Sequence, residues 1–175
     1  MASTQSVAHW HARQPAWYFR QGAPLDEIKA ECIRGTRGNE ISISGIPRFG
    51  NKIAFTSKCV VLDAPSRYED NPKNQPTVQL AGGELLEFVK SLEDLLQGCV
   101  KDAEQRESAK SNIFGETFIR AKVSDFLRVW EGETRTDKGF PKPGSEVFVM
   151  GTAKPYIMAG KWGVTLTVFQ IQTVS

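Results

Sequence analysis

The chain has 175 residues, 40% hydrophobic, 24% charged and 10% aromatic, the profile of one folded domain with or without an extension. No run approaches the roughly 18 apolar residues of a membrane helix, the N-terminus has no apolar signal-like stretch, and Cys32, Cys59 and Cys99 are too scattered for a disulfide framework. A membrane protein, a secreted mini-protein and a disordered tail are thereby excluded. An intracellular, reducing location is expected, with no membrane contact.

The net charge of +2 is unevenly spread, because residues 81–112 hold four Lys/Arg against seven Asp/Glu between two basic flanks. Such a layout suits a partner that meets only part of the surface. Residues 1–40 mix aromatics, prolines and basic residues without a clean period. They predict an irregular N-terminal arm with a short helix around Leu25–Ile33, ahead of a domain over 41–175. In the arm, Trp17, Tyr18, Phe19 and Arg20 cluster, and three consecutive rings more often pin an extension to its own domain than bind a ligand. His9 and His11 are the only histidines, and no cysteine pair stands near them to complete a zinc shell.

Ile41–Phe49, then Gly50-Asn51, then Lys52–Leu62 predict a β-hairpin around a two-residue connection. Pro47 places the first run at an edge or bulge. Residues 63–78 contain three prolines and predict a loop. Over Gly83–Arg106, Leu85, Val89, Leu92, Leu96, Cys99 and Ala103 recur at helical steps of three and four, with Glu84, Glu87, Glu93 and Asp94 on or beside the other face. Gly98 is a weak point in that helix. Strands are predicted over Thr117–Glu131, Ser145–Met158 and Trp162–Val174, the last two joined by a tight turn at Ala159-Gly160-Lys161. In the final strand Val164, Leu166 and Val168 share one face while Phe169 and Ile171 take the other, which predicts a bulge near Val168 or burial on both faces.

This order of elements predicts a mainly β protein: an OB-like five-stranded Greek-key barrel with one long helix and an N-terminal extension. In that architecture the helix conventionally follows the third strand. One early strand is therefore still to be supplied, from Thr77–Leu80 or from the arm.

Phosphate-loop, dinucleotide, zinc-protease and nucleophile-elbow motifs are all absent from the sequence. No enzyme, metal or cofactor is expected. The informative segment is Thr117–Glu131. Alternation puts Ile119, Ala121, Val123, Asp125, Leu127 and Val129 on one face, and Phe118, Arg120, Lys122, Ser124, Phe126, Arg128 and Trp130 on the other. Rings interleaved with cations, with no acid among them, suit single-stranded nucleic acid, where cations track phosphates and rings stack on bases. A one-residue bulge would instead bury Phe126 and Trp130 and leave the cations outside.

Arg48, Phe49 and Lys52 flank the first predicted turn, and Lys154, Tyr156, Lys161 and Trp162 surround the last. Arg135, Lys138 and Lys142 lie in a loop of the kind that is usually just solvated. The hairpin Tyr156–Trp162 and the closing strand Gly163–Gln172 (GVTLTVFQIQ) resemble the closing strands of OB-fold single-stranded DNA-binding proteins of tailed phages and large DNA viruses. The resemblance spans Phe118–Gln172. It implies cooperative, sequence-independent coating of single strands, with Phe118, Trp130, Tyr156 and Trp162 as stacking residues. Many members of that family end in an acidic tail that recruits partners. Thr173-Val174-Ser175 carry no acid, so either that recruitment is missing here or the sequence stops short of it.

The sequence thus predicts a single-stranded DNA-binding protein, with self-association along the strand left open and RNA not distinguished from DNA. The alternative is a β-rich viral structural or assembly protein using the same aromatic-basic face for protein contacts.

Overall fold

The computed structural model describes residues 29–35, 38–44, 52–67, 69, 71–100, 102–132, 134–136 and 139–173. In chain order these form β1 Lys29–Gly35, β2 Gly38–Ser44, β3 Ile53–Val61, β4 Thr77–Ala81, α1 Gly83–Gln97, β5 Glu104–Gln105, β6 Ala109–Ser111, β7 Thr117–Glu131, β8 Thr134–Thr136, β9 Glu146–Met158 and β10 Lys161–Thr173.

The longest pairing is the C-terminal hairpin, β9 with β10. Ala159 and Gly160 take φ values of 51° and 75°, the left-handed pair that lets a two-residue turn match the twist of its strands. From β10 the hydrogen-bonded order runs through β9, β3, β4 and β7, and β7 pairs back onto β10. The β7–β10 pairing is parallel, and the others round the ring are antiparallel. Numbered within the barrel, the order is 1-2-3-5-4-1, the OB arrangement.

The missing early strand is Thr77–Ala81, but it is the barrel's second strand, so α1 follows the second strand and not the third. Leu85, Val89, Leu92 and Leu96 are buried, and Phe88 stacks on Phe55 of β3 with ring centroids 5.2 Å apart. The helix stops at Gly98, well short of Arg106. Cys99 and Ala103 still pack against the core, which is why they continue the apolar spacing.

Two other expectations fail. Lys29–Ile33 is strand, not helix, because it pairs residue for residue with Glu40–Ser44. That pairing also replaces the predicted hairpin: β2 pairs with β1, while β3 pairs with β9 and β4. The Gly50-Asn51 connection lies outside the described residues, as do His9, His11 and the Trp17–Arg20 cluster. The β1–β2 pair crosses residue 40, where arm and domain were expected to meet, and buries Ile41 and Ile43 in the main core.

Candidate functional site

The outer face of β7 carries the first half of the site. Arg120 and Lys122 point to solvent while Ile119, Ala121 and Val123 are buried, as alternation requires. Lys122 stands opposite Thr77 of β4 and Thr167 of β10. On the neighbouring hairpin, Lys154 pairs with Thr165, and Tyr156 with Gly163. Arg120, Lys122, Thr77, Lys154, Thr165 and Tyr156 line a groove of about 1080 Å³ that also takes in Arg106, Ala159 and Gly160. Four cations, Arg106, Arg120, Lys122 and Lys154, face one acid, Asp102. Arg120, Lys122 and Lys154 rise from strands, while Arg106 follows β5 and is placed by its backbone bond to β10.

Arg106 was hidden in the overextended helix. The segment that carries it closes the seam between β10 and β7. β5 pairs with the start of β10, the Arg106 N–H donates to the Trp162 carbonyl at 2.7 Å, and β6 pairs with the start of β7. A Cβ at Gly163 would lie 2.9 Å from the Arg106 carbonyl oxygen, so only glycine permits this approach. Buried Glu93 of α1 accepts from the Ser108 N–H at 3.1 Å and from Gln105 Nε2 at 3.2 Å. The sequence placed Glu93 among the solvent-facing acids; its burial fastens helix to seam. Gly98 was the available signal that the helix would end early.

Beyond Lys122 the strand departs from regular pairing. Val123 stands opposite Val168, and pairing resumes with Arg128 opposite Gln170. Phe169 alone on β10 therefore spans Ser124–Leu127 on β7, the irregularity expected near Val168. The looped segment is tied by the Phe126 N–H donating to Ser124 Oγ at 3.1 Å, and it leaves Phe126 86% exposed. Phe126 is thus an exposed ring on the same strand, with exposed Arg128 two residues on; Asp125 beside it, expected on the core face, is exposed as well because the irregularity turns this stretch outward.

Other candidates separate. Phe118 is 6% and Trp162 2% exposed; neither can stack on a base, and both are removed from the site. Phe118 is flanked by β6, where Lys110 is its register partner, and Trp162 faces the core with Val164 and Leu166. Trp130 is half-buried, packs on Met150 and donates from Nε1 to Gln170 Oε1 at 3.0 Å, and it does not line the groove. Lys161 is ion-paired with Glu104, which draws it off the groove. Lys52 sits just ahead of β3, away from the groove lining. Arg48, Phe49 and Lys138 lie outside the described residues, and Arg135 and Lys142 are exposed but apart from the groove. Among the described residues no group of three His, Cys, Asp or Glu could hold a metal ion.

No family model matches this chain, and no curated protein matches it. Among solved structures it is similar to gp2.5, a single-stranded DNA-binding protein encoded by bacteriophage T7, at 16% identity over 70% of this chain and 91% of that one, with a TM-score of 0.46. It is also similar to the single-stranded DNA-binding protein from bacteriophage Enc34. The C-terminally truncated form matches at 9% identity over 83% of this chain and 94% of that one, TM-score 0.44. The complex of that protein with single-stranded DNA matches at 11% identity over 84% and 96%, TM-score 0.44. The OB assignment rests on strand order, and the reading of function on the groove.

Proposed function

We propose that this protein binds single-stranded DNA without sequence preference and coats exposed strands during replication, recombination or repair. The observation that carries the reading is the groove, with Arg106, Arg120, Lys122 and Lys154 gathered beside Tyr156, and Phe126 exposed farther along the same strand. Phosphates meet the four cations, and bases stack on Phe126 and on the accessible part of Tyr156. A duplex hides the faces of its bases, so an exposed ring next to cations is of most use to an unpaired strand. Ring stacking tolerates any base, which suits binding without sequence preference.

Fluorescence anisotropy of labelled oligo-dT, titrated with protein at two salt concentrations, tests the reading. Binding that weakens with salt, through release of counterions from the strand, and that exceeds binding to duplex of equal length is expected. An oligo-U arm measures RNA against DNA. No binding at low salt overturns the proposal and moves the assignment to the assembly protein.

A further inference from the structure

Cys32 and Cys99 lie far apart in the sequence, yet both line one open hollow of about 550 Å³. Register explains how Cys32 comes to face it. Residues directly opposite in an antiparallel pair share a face. Cys32 stands opposite Ile41, and Ala30 opposite Ile43; both isoleucines are buried in the main core. Cys32 is therefore on the inward face of β1, and the hollow beside it leaves its thiol exposed. Cys99 reaches the hollow from just past the end of α1. Its N–H and its thiol both donate to the Leu96 carbonyl, at 3.0 and 3.1 Å, and its side chain packs against the core.

The two sulfurs also sense each other. Burial pushes the Cys99 thiol up, and the charge of Cys32 adds to that push. They are unequal in access: Cys32 is exposed, whereas Cys99 is half-buried. A bond between them needs their Cα atoms within about 7 Å. β1 and β2 form a two-stranded sheet separate from the barrel sheet, so β1 can close on Cys99 without breaking a barrel ladder. The third thiol, Cys59, is buried and does not line the hollow.

We infer that Cys32 and Cys99 form a thiol-exchange site, which takes a low-molecular-weight disulfide as its reactant and closes to an intramolecular Cys32–Cys99 bond. The Cys32 thiolate attacks one sulfur of the small disulfide, making a mixed disulfide and expelling the first small thiolate. Cys99, once deprotonated, attacks the Cys32 sulfur and expels the second. The protein gives up two electrons and two protons, and the small disulfide leaves as two thiols. Glu31 and Asp102 line the same hollow, so an uncharged disulfide enters more readily than an anionic one. The new bond ties β1 to the segment that carries Arg106. Asn39 and Asp102 line the hollow and the groove alike, so the site stands at the groove's edge. A reducing pool keeps the pair as thiols, which makes the bond a response to oxidant and not a part of the folded framework.

Exposing the native full chain to 2-hydroxyethyl disulfide, alkylating the remaining thiols after unfolding and mapping peptides without reduction tests this independently of DNA binding. The expected product is one Cys32–Cys99 linked peptide pair, with Cys59 alkylated and no reagent retained. Cys99→Ser should stop at a single reagent adduct on Cys32, and Cys32→Ser should react roughly tenfold more slowly, through its less accessible thiol. Oxidation should raise the melting temperature by several degrees, because it closes the loop from 32 to 99 in the unfolded chain, and dithiothreitol should reverse the rise. An adduct on Cys32 that persists in wild type beside a Cys99 thiol, a bond to Cys59, a disulfide between two chains, or a melting temperature that does not rise would each overturn the inference.

Discussion

Glu93 in α1 accepts the backbone N–H of Ser108 at 3.1 Å, a bond that fastens the helix to the segment that brings Arg106 to the groove. The carboxylate is buried and also takes Gln105 Nε2. Glu93→Ala leaves both donors without their acceptor, at a cost of about 1–3 kcal/mol each where buried. A fall in the urea midpoint, with Glu93→Gln losing less because its remaining carbonyl still accepts, is the expected result. Equal stability of Glu93→Ala and wild type would remove the latch.

Charge and stacking separate in a salt titration. Arg120→Ala, Lys122→Ala and Lys154→Ala should each lower the slope of log affinity against log salt by about 0.7, the single-strand value per phosphate contact. Phe126→Ala should cost about 1–3 kcal/mol at every salt concentration and leave the slope alone. Lys142→Ala, exposed but outside the groove, should change neither. Trp162→Ala should act on folding, at about 3–5 kcal/mol, and not on the slope.

How much of this was legible follows from what alternation encodes. The run Thr117–Glu131 was found end to end because its apolar residues keep a period of two, and the last turn because Ala-Gly between β-rich runs has few other uses. Arg120 and Lys122, named from that alternation, and Lys154, named from the last hairpin, line one groove. Alternation says which face a residue takes and not whether something covers that face, so Phe118 was misread: β6 flanks it. Trp162 had a signal, since it shares the period of Val164, Leu166 and Val168, all buried. Arg106 was missed because Cys99 and Ala103 prolong the helical spacing while packing on the core from outside the helix. Lys29–Gly35 was misread because its strand character comes from its partner, Gly38–Ser44, and not from its own residues.

Gly163 and Arg106 should behave as one unit. A methyl at position 163 meets the Arg106 carbonyl oxygen and the Tyr156 hydroxyl, each at 2.9 Å; the Tyr156 ring can swing aside, whereas the Arg106 backbone yields only by moving the seam, so the comparison is made in a Tyr156→Phe background. Gly163→Ala is expected to weaken oligonucleotide binding about as much as Arg106→Ala. The double variant should then be no worse than either alone, a coupling that anisotropy titrations of all four proteins would measure. Simple additivity would mean that Gly163 acts elsewhere.

The Glu104–Lys161 ion pair lies on the surface. Hydrogen bonding to Lys161, and then its charge, hold the Glu104 carboxyl below its ordinary value. The pair is therefore intact at neutral pH and opens only as pH falls through that lowered value. Glu104→Gln removes the acid and leaves Lys161 beside the groove. Oligonucleotide binding should tighten at low salt and converge with wild type at high salt, where exposed charges are screened. Unchanged low-salt affinity would place Lys161 out of reach of the strand.

Cys59, on β3 beneath the N-terminus of α1, gives an alkaline signature. Burial, and secondarily the charge of Glu84, push its thiol up to about 12, whereas an unfolded cysteine titrates near 8.5. The folded state then holds a proton that the unfolded state has lost, so this group's stabilisation is full below about pH 8.5 and falls as pH rises toward 12. Lysines and tyrosines titrate over the same interval, so the informative quantity is the difference between wild type and Cys59→Ala. That variant should lose a roughly constant amount of stability below pH 8.5 and close the gap, or reverse it, by pH 11, as read by urea denaturation at stepped pH. Thiol labelling at pH 8 supplies the kinetic counterpart: the reactive species is the thiolate, so exposed Cys32 should label in the native protein and Cys59 only after unfolding. Parallel stability curves for the two proteins from pH 8 to 11 would show that Cys59 does not stay protonated in the fold.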